Sequence, residues 1–562
     1  MNQNRNWLIE KTFENRGYTF DYIEEIDKAD HAVLKDADVL CTRLYQIYLS
    51  GKHIVFIPDF DMDGIMSGVI GYSGLAELGF SVSLYLPNPK KGYGFDEEDV
   101  KRILAQYPDV EVIITGDVGI SCYDGIDFAK QCGIEVLITD HHLQKAVSNA
   151  DCIVDPMRMD ETYAHPGICG AYVVYQCLQL YADTYCNRFV QEQIRRLRVF
   201  AGIGTISDSM PLLYENRQLV RDAIIIARLI YANGDDFIVN HIMGSDVYRR
   251  AFRGLYTMLN VFATMGKLST TDSIDEDFFG YYLAPTFNSV KRIGDDMTRA
   301  FGVFFGSNPV DDANYLYELN NERKTLVAQY FAELRQTDQP YAPYIYLSNA
   351  PGGILGLLAQ QLLLESGVPT VVLTQEGTKY RGSGRSPVWY PFLDRTEPAG
   401  FYAAGHNPAF GIGVTDKREL KALYAFLAKD VSDVLSVTEM PDTTFHPDFV
   451  IAHDGSGDTV IDILLFVEYL QELSKYHPFG ASFEPPHILL KFKPSDGEWS
   501  VLGGMKQHLK IRLAHGFEVL LWNQGNEISR KDSDAECHVV GKLGINEYRG
   551  THTVNFTGTF MD

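Results

Sequence analysis

Between residues 53 and 156 the chain repeats one pattern, in which a short apolar run ends in ionisable residues. The runs HIVFI, VEVIIT and IEVLIT have the length of β-strands, and helix-like segments such as SGVIGYSGLAELG separate several of them. Continuous apolar strands with intervening helices are typical of a parallel sheet that helices cover on both faces. The pattern therefore predicts an α/β fold for the first part of the chain.

The rest of the chain has three further parts. A long helical pattern with interspersed charges at 311–336 is interpreted as a connecting helix. A second, smaller α/β unit follows and contains a Gly/Ser/Arg-rich loop, YRGSGRSPV. Short strands and turns near the end predict a small β barrel or sandwich. The predicted domain bounds are 1–310 with an N-terminal extension 1–50, 311–338, 339–435 and 436–562.

Composition argues against several classes of protein. The net charge of −25, from 49 basic and 74 acidic residues, argues against a general nucleic-acid binder, unless bound metals and a local basic groove invert the field. Eight cysteines without a CxxC pair make disulfides and a structural zinc unexpected and favour a reducing cytoplasm. The first residues contain no apolar signal segment, and no apolar run is long enough to predict a membrane span.

Ionisable side chains follow three neighbouring strands of the predicted sheet. Because ligands of an open parallel sheet bind beyond the carboxyl ends of its strands, these side chains are expected to meet. Uncompensated carboxylates would repel each other, and divalent cations relieve the repulsion. Oxygen ligands with one or two imidazoles suit Mn²⁺ or Mg²⁺, and a pair of such ions can activate a phosphodiester for hydrolysis. The residues are Asp59, Asp61, Asp63, Asp117, Asp140, His141 and His142.

Each acidic segment also has a simpler interpretation. A single DxDxDG loop is often a turn or a calcium loop, although the EF-hand version requires a Glu about six residues beyond its Gly, which IMSGVI does not supply. A lone aspartate such as Asp117 is often a helix cap. The matched placement of all three segments at strand ends favours the metal site.

Four segments in this order, DFDMDG, GDVGI, TDHH and GIGTISDSMPL, resemble the motifs of the DHH phosphoesterase superfamily. The chain is most similar to the RecJ-type single-strand exonucleases of that superfamily, through the further segments GYGF, LNNER, GSGRS, AAGHNPAFG and YHPFG. The resemblance covers about residues 40–525. It implies that the four predicted parts are a DHH catalytic domain, a connecting helix, a DHH-associated substrate-binding domain and an OB-like nucleic-acid-binding domain.

The resemblance also implies roles for the acidic residues. Asp59 and Asp61 would bind one metal together with Asp117, which would bridge to a second metal. His142 would contact the scissile phosphate, and Asp140 would orient a histidine. The remaining implied ligands of the second metal are Asp63, His141 and Asp208. Taken from the residues alone, Asp208 in TISDS is instead a buried helix cap.

Three residues of the second α/β unit and one arginine of the first domain are implied to contact the substrate. His406 would approach the phosphate, Ser383 and Arg385 would bind substrate phosphates, and Arg292 matches a phosphate-binding arginine of the family. The simpler interpretations are a turn residue for His406 and a surface position for Arg292. The segment PNPKKGYG lacks the family arginine that is linked to capture of a 5′ phosphate, and Lys90 and Lys91 stand nearby.

The implied function is a 5′→3′ exonuclease that uses two Mn²⁺ or Mg²⁺ ions to degrade single-stranded DNA to 5′ mononucleotides, in DNA repair or recombination. The expected partners are single-stranded DNA and a single-strand-binding protein or helicase, with no membrane. One alternative is a phosphodiesterase of short oligonucleotides or cyclic dinucleotides. A non-catalytic DNA-binding scaffold is another.

Overall fold

The computed structural model forms two compact units, and each is made of segments that are discontinuous in the chain. The larger unit contains the described residues of Ala32–Met210 and Asp222–Thr443. The smaller unit contains those of Met1–His31, Pro211–Arg221 and Thr444–Asp562. The structure describes residues 6–28, 32–88, 92–294, 296–437, 446–503, 506–548 and 551–561.

Three sheets contain the strands. In the larger unit, the first sheet consists of β1 (His53–Pro58), β2 (Ser81–Leu84), β3 (Val110–Gly116), β4 (Glu135–Thr139) and β5 (Cys152–Val154). The second consists of β6 (Ile345–Leu347), β7 (Thr370–Glu376), β8 (Lys379–Arg385), β9 (Tyr402–His406) and β10 (Ala409–Val414). The smaller unit holds β11 (Phe449–Ala452), β12 (Ile488–Phe492), β13 (Glu498–Leu502), β14 (His508–Arg512), β15 (Glu518–Leu521), β16 (Cys537–Tyr548) and β17 (Thr551–Phe560).

Helices surround the sheets, and among the described residues no helix is long and apolar enough to cross a bilayer. A π-helical turn at Phe279–Leu283 joins α12 to α13. The α-helices are α1 (Trp7–Asn15), α2 (Phe20–Ile26), α3 (Ala37–Ser50), α4 (Met62–Glu77), α5 (Glu97–Gln106), α6 (Tyr123–Gln131), α7 (Gly170–Tyr185), α8 (Arg188–Arg196), α9 (Arg198–Ser207), α10 (Tyr214–His241), α11 (Asp246–Thr264), α12 (Glu276–Phe278), α13 (Ala284–Ile293), α14 (Met297–Phe305), α15 (Pro309–Gln336), α16 (Gly352–Ser366), α17 (Phe392–Thr396), α18 (Lys417–Val437) and α19 (Ile463–Leu473).

The first sheet is parallel throughout, in the order β2-β1-β3-β4-β5, as the apolar runs predict. Helices α5 and α6 bury Ile103 and Ile126 against one face. On the other face α4 approaches β1 closely, because a Cβ at Gly71 would lie 2.2 Å from the ring of Phe56. Both faces are therefore covered, and the carboxyl ends of β1, β3 and β4 lie side by side.

The second sheet has the order β6-β7-β8-β10-β9, in which β6 and β7 are parallel and the other pairs are antiparallel. The prediction of a loop at YRGSGRSPV is wrong for its first part, because residues 379–385 form β8. Its glycines are packing positions in a strand and do not mark a turn, since a Cβ at Gly384 would lie 2.2 Å from the ring of Phe410. The connecting helix is α15, and the predicted domain bounds stay predictions.

The smaller unit contains a seven-stranded sheet in the order β11-β12-β16-β17-β15-β14-β13. Its core includes side chains from α1, α2 and α19 together with those of the sheet. Arg217 is fully buried there, 2.6 Å from Asp27, and donates to the carbonyls of Pro478 and Tyr476. A C-terminal sheet domain is thus confirmed, as the short strands in the sequence predict.

Candidate metal and phosphate site

The carboxyl edge of the first sheet collects the predicted metal ligands. Asp59 directly follows β1, Asp117 directly follows β3, and Asp140 directly follows β4. Asp61 caps the N-terminus of α4 and accepts a hydrogen bond from the amide of Gly64, 3.2 Å away. The strand order therefore places residues that are about 80 positions apart in sequence at one point of the fold.

Two sets of three side chains bring their ligand atoms within 4.8 Å of one another. One set is Asp59, Asp61 and Asp117, and the other is Asp63, His141 and Asp208. A third set contains Asp117, His141 and His142, and it shares Asp117 with the first set and His141 with the second. The grouping matches the division into two metal positions that the resemblance implies, and the individual ligand roles stay predictions.

The tautomer of His141 follows from its contacts. Its Nδ1 lies 2.9 Å from the carbonyl oxygen of Ile168, which can accept but not donate a hydrogen bond, so Nδ1 carries the proton. Its Nε2 lies 3.0 Å from Asp117 Oδ1 and 3.6 Å from Asp208 Oδ2. In the neutral ring, Nε2 then has a free lone pair among the carboxylates, which is the arrangement of a metal-ligating histidine.

His142 is held by Asp140 and by Tyr93. Its Nδ1 lies 2.8 Å from Asp140 Oδ1 and 2.9 Å from the Tyr93 hydroxyl. Asp140 is fully buried and is itself fixed by the amide of Ile120, which donates to Oδ2 at 2.9 Å. Burial opposes the charge on His142, but the hydrogen bond and the charge of Asp140 outweigh it and raise the pKa of His142 to about 9. Asp140 thus lies within hydrogen-bonding distance of His142, whose imidazole is partly exposed, and its orienting role stays a prediction.

Glycines allow the site to pack this closely. A Cβ at Gly64 would lie 2.5 Å from the backbone carbon of Asp59, and one at Gly170 would lie 2.5 Å from the side chain of Asp117. The Gly170 amide also donates to Asp63 Oδ2 at 2.7 Å. Helix α7 therefore begins against the carboxylates, with backbone amides facing Asp63.

Two independent observations indicate that these residues suit divalent cations. Within the part of the chain that the structure describes, Oδ1 of Asp59 and Oδ1 of Asp117 are buried and accept no hydrogen bond. Buried carboxylate oxygens without a partner are costly unless a cation binds them. The donor set consists of oxygens and an imidazole nitrogen without a thiolate, which suits Mn²⁺ or Mg²⁺.

Burial and the negative charges of neighbouring carboxylates raise the pKa of most of these carboxyl groups. Burial and the charge of Asp61 raise the pKa of Asp59 to about 8. Burial, with a further contribution from Asp63, raises the pKa of Asp208 to about 7. Burial followed by the charges of Asp63 and Asp61 raises the pKa of Asp117 well above its usual value. Without metal, the folded protein therefore retains protons that the same groups would release in an unfolded chain.

We expect the metal-free protein to lose stability as the pH rises from about 4 to about 8. Asp59 and Asp208 have folded-state pKa values above the ordinary 3.8, so stability falls through that window; His142 acts in the same direction between about 6.5 and 9. The melting temperature is expected to fall by about 3 °C or more over this range. Thermal denaturation at several pH values in a chelating buffer measures it. With saturating Mn²⁺ the decline should disappear, and a decline that is equal with and without Mn²⁺ would contradict the prediction.

Three arginines from different elements form a second cluster, here called the arginine cluster: Arg292 of α13, Arg323 of α15 and Arg385 of β8. Burial, together with the charges of Arg323 and Arg385, lowers the pKa of Arg292 to about 10. Among the described residues, no carboxylate oxygen lies within 4 Å of these guanidinium groups. Gly356 of α16 leaves room for Arg385, because a Cβ there would lie 3.0 Å from its guanidinium. Partly buried like charges with no carboxylate within ion-pair distance favour an anion-binding site.

The other predicted substrate residues lie on the second sheet or outside the described part of the chain. Ser383 lies on β8 two residues from Arg385, which places both on one face of the strand. His406 ends β9 and is exposed, and partial desolvation together with the positive charges of His142 and Lys145 lowers its pKa. Lys90 and Lys91 lie outside the described residues. The substrate roles of all five residues stay predictions.

The sequence interpretation missed four residues of the site. Asp155 directly follows β5 and is fully buried, and the rule that identified the other strand ends would have found it. Tyr93 and Arg323 lie in the segments GYGF and LNNER, which were noted as motifs without a role. Lys291, whose Nζ lies 3.0 Å from Asp61 Oδ2, had no sequence signal beyond its position beside Arg292.

Comparison with known proteins agrees with this geometry. Residues 53–202 match the N-terminal domain of the DHH family, and residues 464–558 match the RecJ OB domain. The single-stranded-DNA-specific exonuclease RecJ of Bacillus subtilis is 25% identical over 554 residues, which cover 94% of this chain and 64% of the relative. The RecJ of Escherichia coli is 24% identical over 555 residues, which cover 91% of this chain and 87% of that protein.

A solved structure shares the fold. RecJ from Thermus thermophilus, in complex with Mn²⁺, superposes with a TM-score of 0.69 and 22% identity, over 98% of this chain and 75% of that one. The first matched region contains every residue of the carboxylate and histidine cluster except Asp208. The chain thus contains a region that matches the N-terminal domain of the DHH family and a region that matches the RecJ OB domain, and over most of its length it is similar to RecJ-type exonucleases.

Proposed function

We propose that the chain is a divalent-metal-dependent exonuclease that degrades single-stranded DNA in the 5′→3′ direction to 5′ mononucleotides. The observation that carries the proposal is the convergence of five carboxylates and His141 around buried, unpartnered oxygens. The arginine cluster in the same unit supports a phosphate backbone as the substrate. The similar proteins of Bacillus subtilis and Escherichia coli are single-stranded-DNA-specific exonucleases, and RecJ of Thermus thermophilus has been solved in complex with Mn²⁺ and with Mg²⁺.

In the mechanism that we propose, the chain positions a phosphodiester between the metal ligands and the histidines. Divalent ions, when bound, would provide Lewis-acid stabilisation and a nucleophile at neutral pH. His142 holds its Nδ1 proton toward Asp140, which leaves Nε2 available to a phosphate oxygen. A positively charged His142 would stabilise the negative charge that develops on the phosphoryl group. The arginine cluster would bind backbone phosphates beyond the reacting one.

Replacement of Arg323 by alanine is expected to weaken binding of single-stranded DNA about tenfold or more, since a charge-assisted phosphate contact is lost. The same change should raise the melting temperature of the free protein, because it removes one of three like charges that lack counter-ions. Fluorescence anisotropy with a labelled oligonucleotide and a thermal melt measure both effects. Arg335→Ala is the matched control, since this exposed arginine lies on the same helix, 3.5 Å from Glu365, and should leave binding unchanged. A destabilised Arg323→Ala protein with normal DNA affinity would show that Arg323 is structural.

The proposed activity is tested with strands that carry a label at the 5′ or the 3′ end, each with and without a 5′ phosphate, in the presence of Mn²⁺. We expect early release of labelled mononucleotide from the 5′-labelled strand, late release from the 3′-labelled one and resistance of blunt duplex DNA. Comparison of strands with and without the 5′ phosphate also tests the segment PNPKKGYG, where the family arginine is missing. Early release of the 3′ label would overturn the polarity.

The same assay separates the alternative functions. Faster turnover of a dinucleotide than of a long strand would favour an oligonucleotide phosphodiesterase. DNA binding without Mn²⁺-dependent hydrolysis would favour a scaffold. We further propose that the chain works in the cytoplasm in DNA repair or recombination, with a single-strand-binding protein or a helicase that supplies or exposes the strand.

A further inference from the structure

Lys291 brings a positive charge into the acidic cluster. It lies on α13 next to Arg292, and its Nζ is 3.0 Å from Asp61 Oδ2 and 5.4 Å from the centre of the Phe60 ring. Its side chain is 28% exposed, so the ammonium group has limited contact with solvent. The family resemblance implies no role for it.

The contact occupies an oxygen that a metal would need. Asp61 Oδ1 accepts from the amide of Gly64, and Oδ2 accepts from Lys291. Asp59 and Asp117, by contrast, each have an oxygen with no hydrogen-bond partner among the described residues. Lys291 thus satisfies one member of the three-carboxylate set and leaves the other two unsatisfied.

The second set of ligands has no such cation. Asp63 accepts hydrogen bonds from the backbone amides of Gly170 and Ala171. Among the described residues, no lysine or arginine nitrogen lies within 4 Å of the carboxylate oxygens of Asp63 or Asp208. A backbone amide leaves a carboxylate its full negative charge, whereas an ammonium neutralises it. The two halves of the site therefore differ in one respect: a cation of the chain already holds a ligand oxygen of the first set and none of the second.

We propose that Lys291 is a built-in cation of the Asp59–Asp61–Asp117 half of the site, so that the two halves bind divalent ions with unequal affinity. Lys291 must leave Asp61 Oδ2 before that oxygen can ligate an ion, and the half that contains Asp63, His141 and Asp208 fills first. This inference rests on the proposed metal-dependent function. Lys291 is a positioning residue in this proposal, because it affects the substrate through the metal ions that the site holds.

Binding of Mn²⁺ to the full chain tests the inference without an activity assay. Electron paramagnetic resonance of free Mn²⁺, combined with calorimetry at one fixed pH, should resolve a tight and a weak class in the unmodified protein. Lys291→Met, which keeps most of the volume and removes the charge, should tighten the weak class about tenfold or more and leave the tight class unchanged. Lys291→Arg should keep the two classes apart. Lys101→Met, at an exposed lysine of α5 that pairs with Glu97, is the control and should bind as the unmodified protein does.

A measurement on the unmodified protein keeps the inference testable even where Lys291→Met does not fold. Reductive methylation, followed by mass spectrometry, should label Lys291 slowly without Mn²⁺ and at saturation of the tight class, and several-fold faster at full saturation. Lys101 should react at one rate throughout. Two classes of equal affinity, an unchanged weak class in Lys291→Met or a constant labelling rate of Lys291 would each overturn the inference. A complete lack of Mn²⁺ binding would instead refute the proposed function.

Discussion

Replacement of Asp117 by asparagine is expected to lower nuclease turnover about 10³-fold or more, while the metal-free protein keeps or increases its stability. Asp117 belongs to two of the three ligand sets and lies 3.0 Å from His141, so its loss affects both halves of the site. Burial and the neighbouring carboxylates raise its pKa well above the usual range, which favours the neutral acid in the absence of metal. Asparagine has nearly the same shape as that neutral acid.

The effect on turnover and the effect on stability together distinguish a metal ligand from an aspartate that only stabilises the fold. If Asp117 were a helix cap or a fold-stabilising residue, its replacement would lower the melting temperature of the metal-free protein. If Asp117 is a ligand, the Asp117→Asn protein should instead lose the stabilisation that added Mn²⁺ gives. An ion stabilises a protein in this way when it binds to the folded state alone. Thermal melts with and without Mn²⁺, beside the labelled-strand assay, measure both effects. Asp109→Asn, at an exposed aspartate that precedes β3, is the matched control. Full activity of Asp117→Asn would refute its role as a ligand.

Local patterns in the sequence predict the acidic edge well because the parallel sheet obeys a simple rule. Apolar runs define β1, β3 and β4, and residues that directly follow parallel strands meet at one edge. The placement of Asp59, Asp117 and Asp140 therefore required no knowledge of long-range contacts. Asp208 is different, because it ends α9 and reaches the cluster through helix packing that a single sequence does not reveal. The family resemblance supplied that residue.

Glycine and arginine positions were harder to interpret for a physical reason. Gly382 and Gly384 suggested a loop, but a Cβ at Gly382 would lie 1.9 Å from the carbonyl oxygen of Val372, so the strand needs glycine to pack. Arg323 lies on a long, charged helix, where an arginine is usually a solvated surface residue. Its membership in the arginine cluster depends on the position of β8 relative to α15, which the sequence pattern does not encode.

Close packing around the acidic cluster leaves no room for a larger side chain at some neighbouring positions. Gly204 of α9 is the clearest case. A Cβ at this position would lie 2.3 Å from Asp63 Oδ1 and 3.0 Å from the Cβ of Ala171. Asp63 accepts hydrogen bonds from the amides of Gly170 and Ala171, so a methyl group must displace either the carboxylate or the start of α7. One added methyl group should therefore act on the metal site almost as the loss of a ligand does.

Gly204→Ala is expected to lower turnover about 10²-fold or more and the free energy of unfolding by about 1–3 kcal/mol. Mn²⁺ affinity should fall with turnover, because the carboxylate that moves belongs to the set of Asp63, His141 and Asp208. Gly280→Ala is the matched control, since its Cβ would lie 3.5 Å from Ile206 of the same helix, at ordinary contact distance, and a change within about 0.5 kcal/mol is expected. Normal Mn²⁺ affinity in a stable Gly204→Ala protein would mean that Asp63 is free to move, and that the close packing of α7 and α9 does not hold the ligands in place.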